Sequence, residues 1–370
     1  MATNSDEFYQ NLTFNSKMKI AIVSKYYVKW AKILLTKYNH IAYIDLFAGA
    51  GKYDDGELGT ALSIIEEIIK DKEQLKCVET IFNDKHKKSI EKLSGCVDSY
   101  CKLYDFSFYP KFFSEQVCDN NIDVLLTNAN VPSLLFLDPW GYKGLSLDTI
   151  KRGIENRGCD CFFFFNYDAI IRSLGDNNEH LLDNLMLLFG NDAICLNEMV
   201  RDKDPYLKNE AIISKFEEKV RNLIPEVYVS TFKFYSDKSN KVSHYLFHVT
   251  KHERGFEAFK QVIKQLNKDD NGFPMYEYDP KVADSPILLA TTDNLEKLAH
   301  DLHCYYKGQV MGVKHIFEDY VAKSLFLPSD ARKSLMYLED HFKISIERFN
   351  KNGERRNGKS ITESDLIKFL

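Results

Sequence analysis

Tyr43-Ile44-Asp45-Leu46-Phe47-Ala48-Gly49-Ala50-Gly51 decides how the chain is read. The apolar run over residues 40–47 holds an acid near its end and passes into a loop with two closely spaced glycines. Glycines let a backbone turn sharply and approach a ligand closely. In open α/β sheets, ligands sit at the carboxyl ends of strands, where the strand order reverses. The stretch is not a dinucleotide fingerprint, because G-x-G-x-x-G is absent and Phe47 and Asp54 stand where outer glycines would fall. It is not a phosphate loop either, since no G-K-[ST] follows. An ordinary strand-to-helix turn with a capping acid is the plain alternative.

The same alternation extends outward on both sides. Before it, residues 18–35 read as an amphipathic helix. Ile20, Val23, Tyr27, Trp30, Ala31 and Leu34 recur at spacings of three and four, with Ser16 as the expected cap. After it come a helix over 60–70, a strand over 79–83 ending at Asp84, and a helix over 85–93. Residues 133–137 form a strand ending in Asp138-Pro139, 147–155 a helix, and 159–165 a strand ending at Asn166. Helices follow over 176–189 and 210–223. Strands alternating with helices predict a parallel sheet covered on both faces, and the continuous apolar runs at 134–137 and 161–165 suit its buried centre. Beyond Pro225, strands over 226–235 and 243–250 flank a polar loop and read as an appended antiparallel hairpin, followed by a helix over 255–266.

Residues 269–285, rich in Asp, Pro, Gly and Asn, read as a linker. It divides a first domain over 1–268 from a second over 286–370. In the second, helices over 294–306, 313–323 and 330–338 precede a strand, a basic loop and a terminal element. That order predicts a small winged-helix-like domain.

Composition agrees with an ordinary globular α/β protein. The chain has 370 residues, 44% apolar and 28% charged, which suits two domains and excludes disorder. The net charge of −5 excludes a chain basic throughout, but not one local basic patch. No apolar run is long enough to predict a membrane span, and the polar start is unlike a signal peptide. The eight cysteines include no C-x-x-C pair, so free thiols in a reducing cytoplasm are expected rather than disulfides or zinc.

The form D-x-F-x-G-x-G resembles the first motif of class I S-adenosylmethionine-dependent methyltransferases, particularly those acting on nucleic acids. That resemblance implies a Rossmann-like sheet, parallel with a C-terminal antiparallel hairpin. It implies that Phe47, Gly49 and Gly51 approach the amino-acid portion of the cofactor and that Asp45 engages its amino group. Asp84 is implied as the acid on the ribose hydroxyls; capping the next helix is its other reading. Asp105, in Leu103-Tyr104-Asp105-Phe106, is the nearest candidate for an acid at the third strand.

Leu134-Leu135-Phe136-Leu137-Asp138-Pro139-Trp140-Gly141-Tyr142 is the second informative stretch. Amino-methyltransferases carry [DNS]-P-P-[YFW] at such a strand end. There the first side chain accepts hydrogen bonds from the acceptor amine, and the ring stacks on the base. Here there is one proline, and the aromatic comes a residue early. Asp-Pro-aromatic-Gly looks more like enzymes that methylate the exocyclic amine of guanine in transfer RNA. The resemblance makes Asp138, Pro139 and Trp140 the candidate catalytic residues; otherwise Pro139 ends a strand and Trp140 is core. Tyr53, Tyr142 and Asn166 are candidate rim residues that would meet the substrate.

Taken together, these segments resemble the three-Cys-motif partner family, over about residues 8–265. The resemblance adds 43–49, 82–84, 137–141, 164–167 and 245–252 in order. It implies an S-adenosylmethionine fold and a link to a radical-type, cysteine-containing partner protein. In the tail, Lys351, Arg355, Arg356 and Lys359 on a glycine-bearing loop would contact phosphates, or else form a solvated surface loop. His244, His248 and His252 recur every four residues and read as core or surface histidines rather than a metal trio. The expected activity is methyl transfer to an exocyclic amine of a nucleic-acid base, DNA or RNA. The rival is a non-catalytic cofactor-binding module that recruits a partner.

Overall fold

The computed structural model describes residues 12–126, 131–139, 141–142, 144–174, 179–201, 203–283 and 294–370. They fall into two compact units: residues 1–258 with 277–283, and residues 259–276 with 284–370.

The first unit is built on one eight-stranded sheet. Its strands are β1 (Ile41–Asp45), β2 (Val78–Asn83), β3 (Lys111–Phe113), β4 (Ser133–Leu137), β5 (Asp160–Phe165), β6 (Tyr228–Tyr235), β7 (Val242–Thr250) and β8 (Glu277–Tyr278). The spatial order is β3-β2-β1-β4-β5-β7-β6-β8. Strands β1 to β5 pair in parallel, and β7 runs antiparallel to both β5 and β6. This is the parallel sheet with an antiparallel hairpin that the sequence predicts. Every residue of β1, β2, β4 and β5 is buried, as expected of strands covered on both faces. The chain leaves β1 toward β2 and β3 on one side and reaches β4 and β5 on the other. The order therefore reverses between β1 and β4, which is where open sheets hold ligands.

Several elements depart from expectation. The leading helix spans Phe14–Leu34, and its cap is Thr13, whose Oγ1 accepts from the Ser16 N–H at 3.1 Å. A cap of this kind is worth about 1 kcal/mol. Its first turn, Phe14 to Lys17, has no buried residue, so apolar periodicity could not reveal it. The third strand is Lys111–Phe113, later than Leu103–Phe106, which follows the end of the helix Lys87–Cys101. Residues read as linker are ordered where described. Lys268 bridges Pro274, and β8 adds to the sheet edge beside β6, with Glu277 Oε2 3.2 Å from Lys233 Nζ.

The second unit packs the helices Asn294–Tyr306 and Pro328–Asp340 over a three-stranded sheet. Its strands are β9 (Val310–Gly312), β10 (Ile344–Glu347) and β11 (Leu366–Phe369), antiparallel in the order β10-β11-β9. Leu298, Leu302, Ile316, Leu335, Ile367 and Phe369 are core residues. The helix expected over 313–323 is a short α-helix, Val313–Ile316, continued by a π-turn, Phe317–Val321.

Candidate cofactor cleft

Strand register brings the two acidic motifs together. Asp45, the last residue of β1, pairs with Phe136 of the neighbouring parallel β4. Asp138 therefore follows just past the end of β4, at the same edge and at the reversal of strand order. Both acids line one cleft of about 530 Å³. Phe47, Gly49, Gly51, Tyr53, Pro139 and Asn166 share its wall. So do Asp168, His244 and, at the start of the leading helix, Thr13, Phe14, Asn15, Ser16 and Lys19.

The glycine loop is fixed by its backbone. Asp45 Oδ1 accepts from the Phe47 N–H at 3.1 Å, folding the loop over the strand end. Gly49 and Gly51 have φ of 61° and 80°, the left-handed region that favours glycine. A Cβ on Gly51 would stand 2.6 Å from Leu93 Cδ1. Residues 52–59 form a closed loop: Lys52 bridges Leu58, and the Gly59 N–H donates to Gly51 O at 2.7 Å.

Asp84 is buried at the end of β2, with both oxygens engaged by backbone. Oδ2 accepts from the Gly49 N–H at 3.1 Å and Oδ1 from the His86 N–H at 2.8 Å. It ties the glycine loop to the second strand and is not among the cleft-lining residues. Its neighbour Asn83 clamps the third loop: Nδ2 donates to Glu115 O at 3.0 Å, and Oδ1 accepts from the Glu115 N–H at 2.9 Å. Asp105 lies exposed on the connection before β3 and does not line the cleft.

Asp138 faces a lysine that sequence reasoning missed. Lys19 Nζ of the leading helix forms an ion pair with Asp138 Oδ2 and sits 4.4 Å from the centroid of the Phe164 ring. The Phe164 ring stacks on His244, with centroids 4.6 Å apart and planes at 11°. Burial pulls the Lys19 ammonium toward neutrality, but Asp138, Tyr53 and Asp45 outweigh it, so its pKa is raised. Asp45 is pushed well above the usual carboxylate range, chiefly by burial and further by Asp138 and Asp84, against the Phe47 N–H and Lys19. His244 is pulled down to about 3 by burial, with Lys19 and Arg172 adding to the effect, so its ring is neutral at ordinary pH. The sequence signal for Lys19 was present: it shares the buried stripe of Ile22, Val23 and Tyr26.

The remaining candidates divide. Asn166 lines the cleft while its Oδ1 accepts from the Ala169 N–H at 2.9 Å, at the start of the helix Tyr167–Leu174. Tyr142 is not on the rim: it is 4% exposed, and its hydroxyl donates to Ser173 Oγ at 2.8 Å. Trp140 lies outside the described residues. In the second unit, Lys351, Arg355 and Lys359 are exposed. Arg356 instead turns inward. It donates to the Phe349 carbonyl at 3.1 Å, the Ser360 carbonyl at 2.7 Å and the fully buried Asp365 carboxylate at 2.7 Å. It anchors the basic loop and does not present a free charge.

Among the described residues, no group of three His, Cys, Asp or Glu side chains is placed to hold a metal. His248 is wholly buried between Tyr26 and Phe162. Among the described residues, no helix is long and apolar enough to cross a membrane.

No family model matches the chain, and no curated protein matches it. Solved structures that resemble it include LPL1258 of Legionella pneumophila, at 12% identity over 62% of this chain and 84% of that one, with a TM-score of 0.36. An rRNA methylase from Streptococcus thermophilus matches at 12% identity over 61% of this chain and 95% of its own, with a TM-score of 0.30. The methyltransferase domain of bacterial CtHen1-C matches at 11% identity over 61% and 97%, again with a TM-score of 0.30.

Proposed function

We propose that the chain is an S-adenosylmethionine-dependent methyltransferase acting on an exocyclic amine of a nucleic-acid base. The observation that supports it most is the convergence of Asp45 and Asp138, from neighbouring parallel strands, on the cleft that Gly49 lines. The residues present suit the cofactor: a loop with positive φ at Gly49 and Gly51, a buried acid at the strand end, and a cleft of about 530 Å³. When bound, the cofactor supplies an electrophilic methyl group. Asp45, Phe47 and Gly49 would hold its amino-acid portion, with Asp84 fixing the loop from behind. Asp138 would accept a hydrogen bond from the acceptor amine and orient it, and Trp140 would stack on the base. Most of the protein's contribution is then positioning.

We read the second unit as winged-helix-like, with residues 348–365 as the wing. Lys351, Arg355 and Lys359 would meet phosphates and give salt-dependent affinity. Arg356 would keep the wing in shape.

One observation favours a second reading, a cofactor-binding module that recruits a partner. The Asp138 carboxylate is already paired with Lys19. Radiolabelled methyl transfer to total RNA and DNA separates the two. Incorporation by wild type that Asp138→Ala abolishes, with cofactor binding retained, supports the enzyme. Cofactor binding without transfer to any nucleic acid supports the module.

A further inference from the structure

The leading helix is not part of the sheet, yet it places a charge inside the cleft. Lys19 is 6% exposed on a helix face shared with Ile22, Val23 and Tyr26. An ammonium taken out of water is costly unless it is paired. Here it is held on two sides: by the Asp138 carboxylate and by the Phe164 face, itself backed by the His244 ring. Asp45 and Tyr53 are the other ionisable groups that act on it, and both line the same cleft. Nearby His244 is neutral and offers no competing charge. Lys19 thus places a fixed positive charge beside Asp138 and Asp45 at the wall of the cleft.

We propose that Lys19 is a positioning residue that sets the charge preference of the cleft. It holds the Asp138 carboxylate neutralised and aimed, and so weighs against cationic ligands relative to neutral ones. This rests on the reading of the cleft as an S-adenosylmethionine site. The cofactor carries a sulfonium charge, whereas its demethylated product, S-adenosylhomocysteine, has a neutral thioether there. Lys19 does not itself react; it acts through Asp138.

The test is calorimetric titration of full-length protein with S-adenosylmethionine, S-adenosylhomocysteine and sinefungin, which carries an ammonium in place of the sulfonium methyl. Lys19→Met is expected to shift the affinity ratio toward the two cationic ligands by about tenfold. Lys19→Arg is expected to keep the wild-type ratio. Lys19→Gln, which keeps a polar side chain without the charge, is expected to shift the ratio the same way, and it serves if Lys19→Met does not fold. A merely structural lysine would weaken all three ligands alike, so an unchanged ratio in the uncharged Lys19 variants overturns the proposal while leaving the cofactor site intact. If the wild type binds none of the three, the cofactor reading fails and the proposal falls with it.

Discussion

Lys19 and Asp138, 119 residues apart in sequence, form an ion pair at the carboxyl edge of the sheet. The acid that ends β4 is thereby tied to a helix that precedes the first strand. This pairing joins the leading helix to the proposed chemistry and gives the cleft a charge balance that neither motif shows alone.

Asp138→Ala should separate binding from transfer. Losing the group that orients the acceptor is expected to lower methyl incorporation about 100-fold. Affinity for S-adenosylhomocysteine should stay within a few-fold. Parallel transfer and titration assays on one preparation check both.

Gly51→Ala should destabilise the first unit by about 1–3 kcal/mol. The added Cβ would meet Leu93 Cδ1 at 2.6 Å, and φ is 80°. Gly56→Ala is the control: its φ is 85°, but nothing lies within 4 Å, so only the backbone cost applies. Thermal unfolding of the two variants should rank them in that order.

Arg355 and Arg356 are neighbours with different work. Arg356→Ala takes the counter-ion from the buried Asp365 carboxylate, which keeps hydrogen bonds from Phe349 and Thr362, and is expected to cost about 3 kcal/mol. Arg355 is exposed, so Arg355→Ala should leave stability within about 0.5 kcal/mol. If the loop meets nucleic acid, Arg355→Ala should also reduce the salt slope of binding by about one. Denaturant melts and filter binding across salt concentrations distinguish these outcomes.

Asp160 should leave a signature in pH-dependent stability. Burial raises its pKa to about 6, against hydrogen bonds from Thr250 and Tyr26 and the attraction of Lys251. An unfolded aspartate titrates near ~3.9. Between those values the folded state binds more protons than the unfolded one, so this group's contribution falls as pH rises through that window. Asp160→Asn has no such proton. The melting temperature of the variant minus that of wild type should therefore rise from pH 4 to pH 7, whatever constant cost the amide carries. A flat difference would mean that Asp160 titrates normally.

Asp45 and Asp138 were legible because one falls near the end of an apolar run and the other closes one, and such runs mark buried parallel strands whose ends face a ligand. The hairpin was legible because β6 and β7 flank a polar loop after Pro225. Lys19 was legible only in part: its spacing from Ile22, Val23 and Tyr26 puts it on the buried face, but Asp138, its partner, lies far away in sequence. The third strand escaped notice because it has three residues and begins with the exposed Lys111. Whether Tyr142 lies on the rim, or Arg356 on the surface, depends on Ser173 and Asp365, which no local pattern links to them.

The most direct measurement is calorimetric titration of wild type and Asp45→Ala with S-adenosylhomocysteine. The predicted result is one-to-one binding by wild type that Asp45→Ala weakens by tenfold or more, with folding unchanged by circular dichroism. Binding that Asp45→Ala leaves untouched, or no binding by the folded wild type, would contradict the assignment of this cleft to the cofactor.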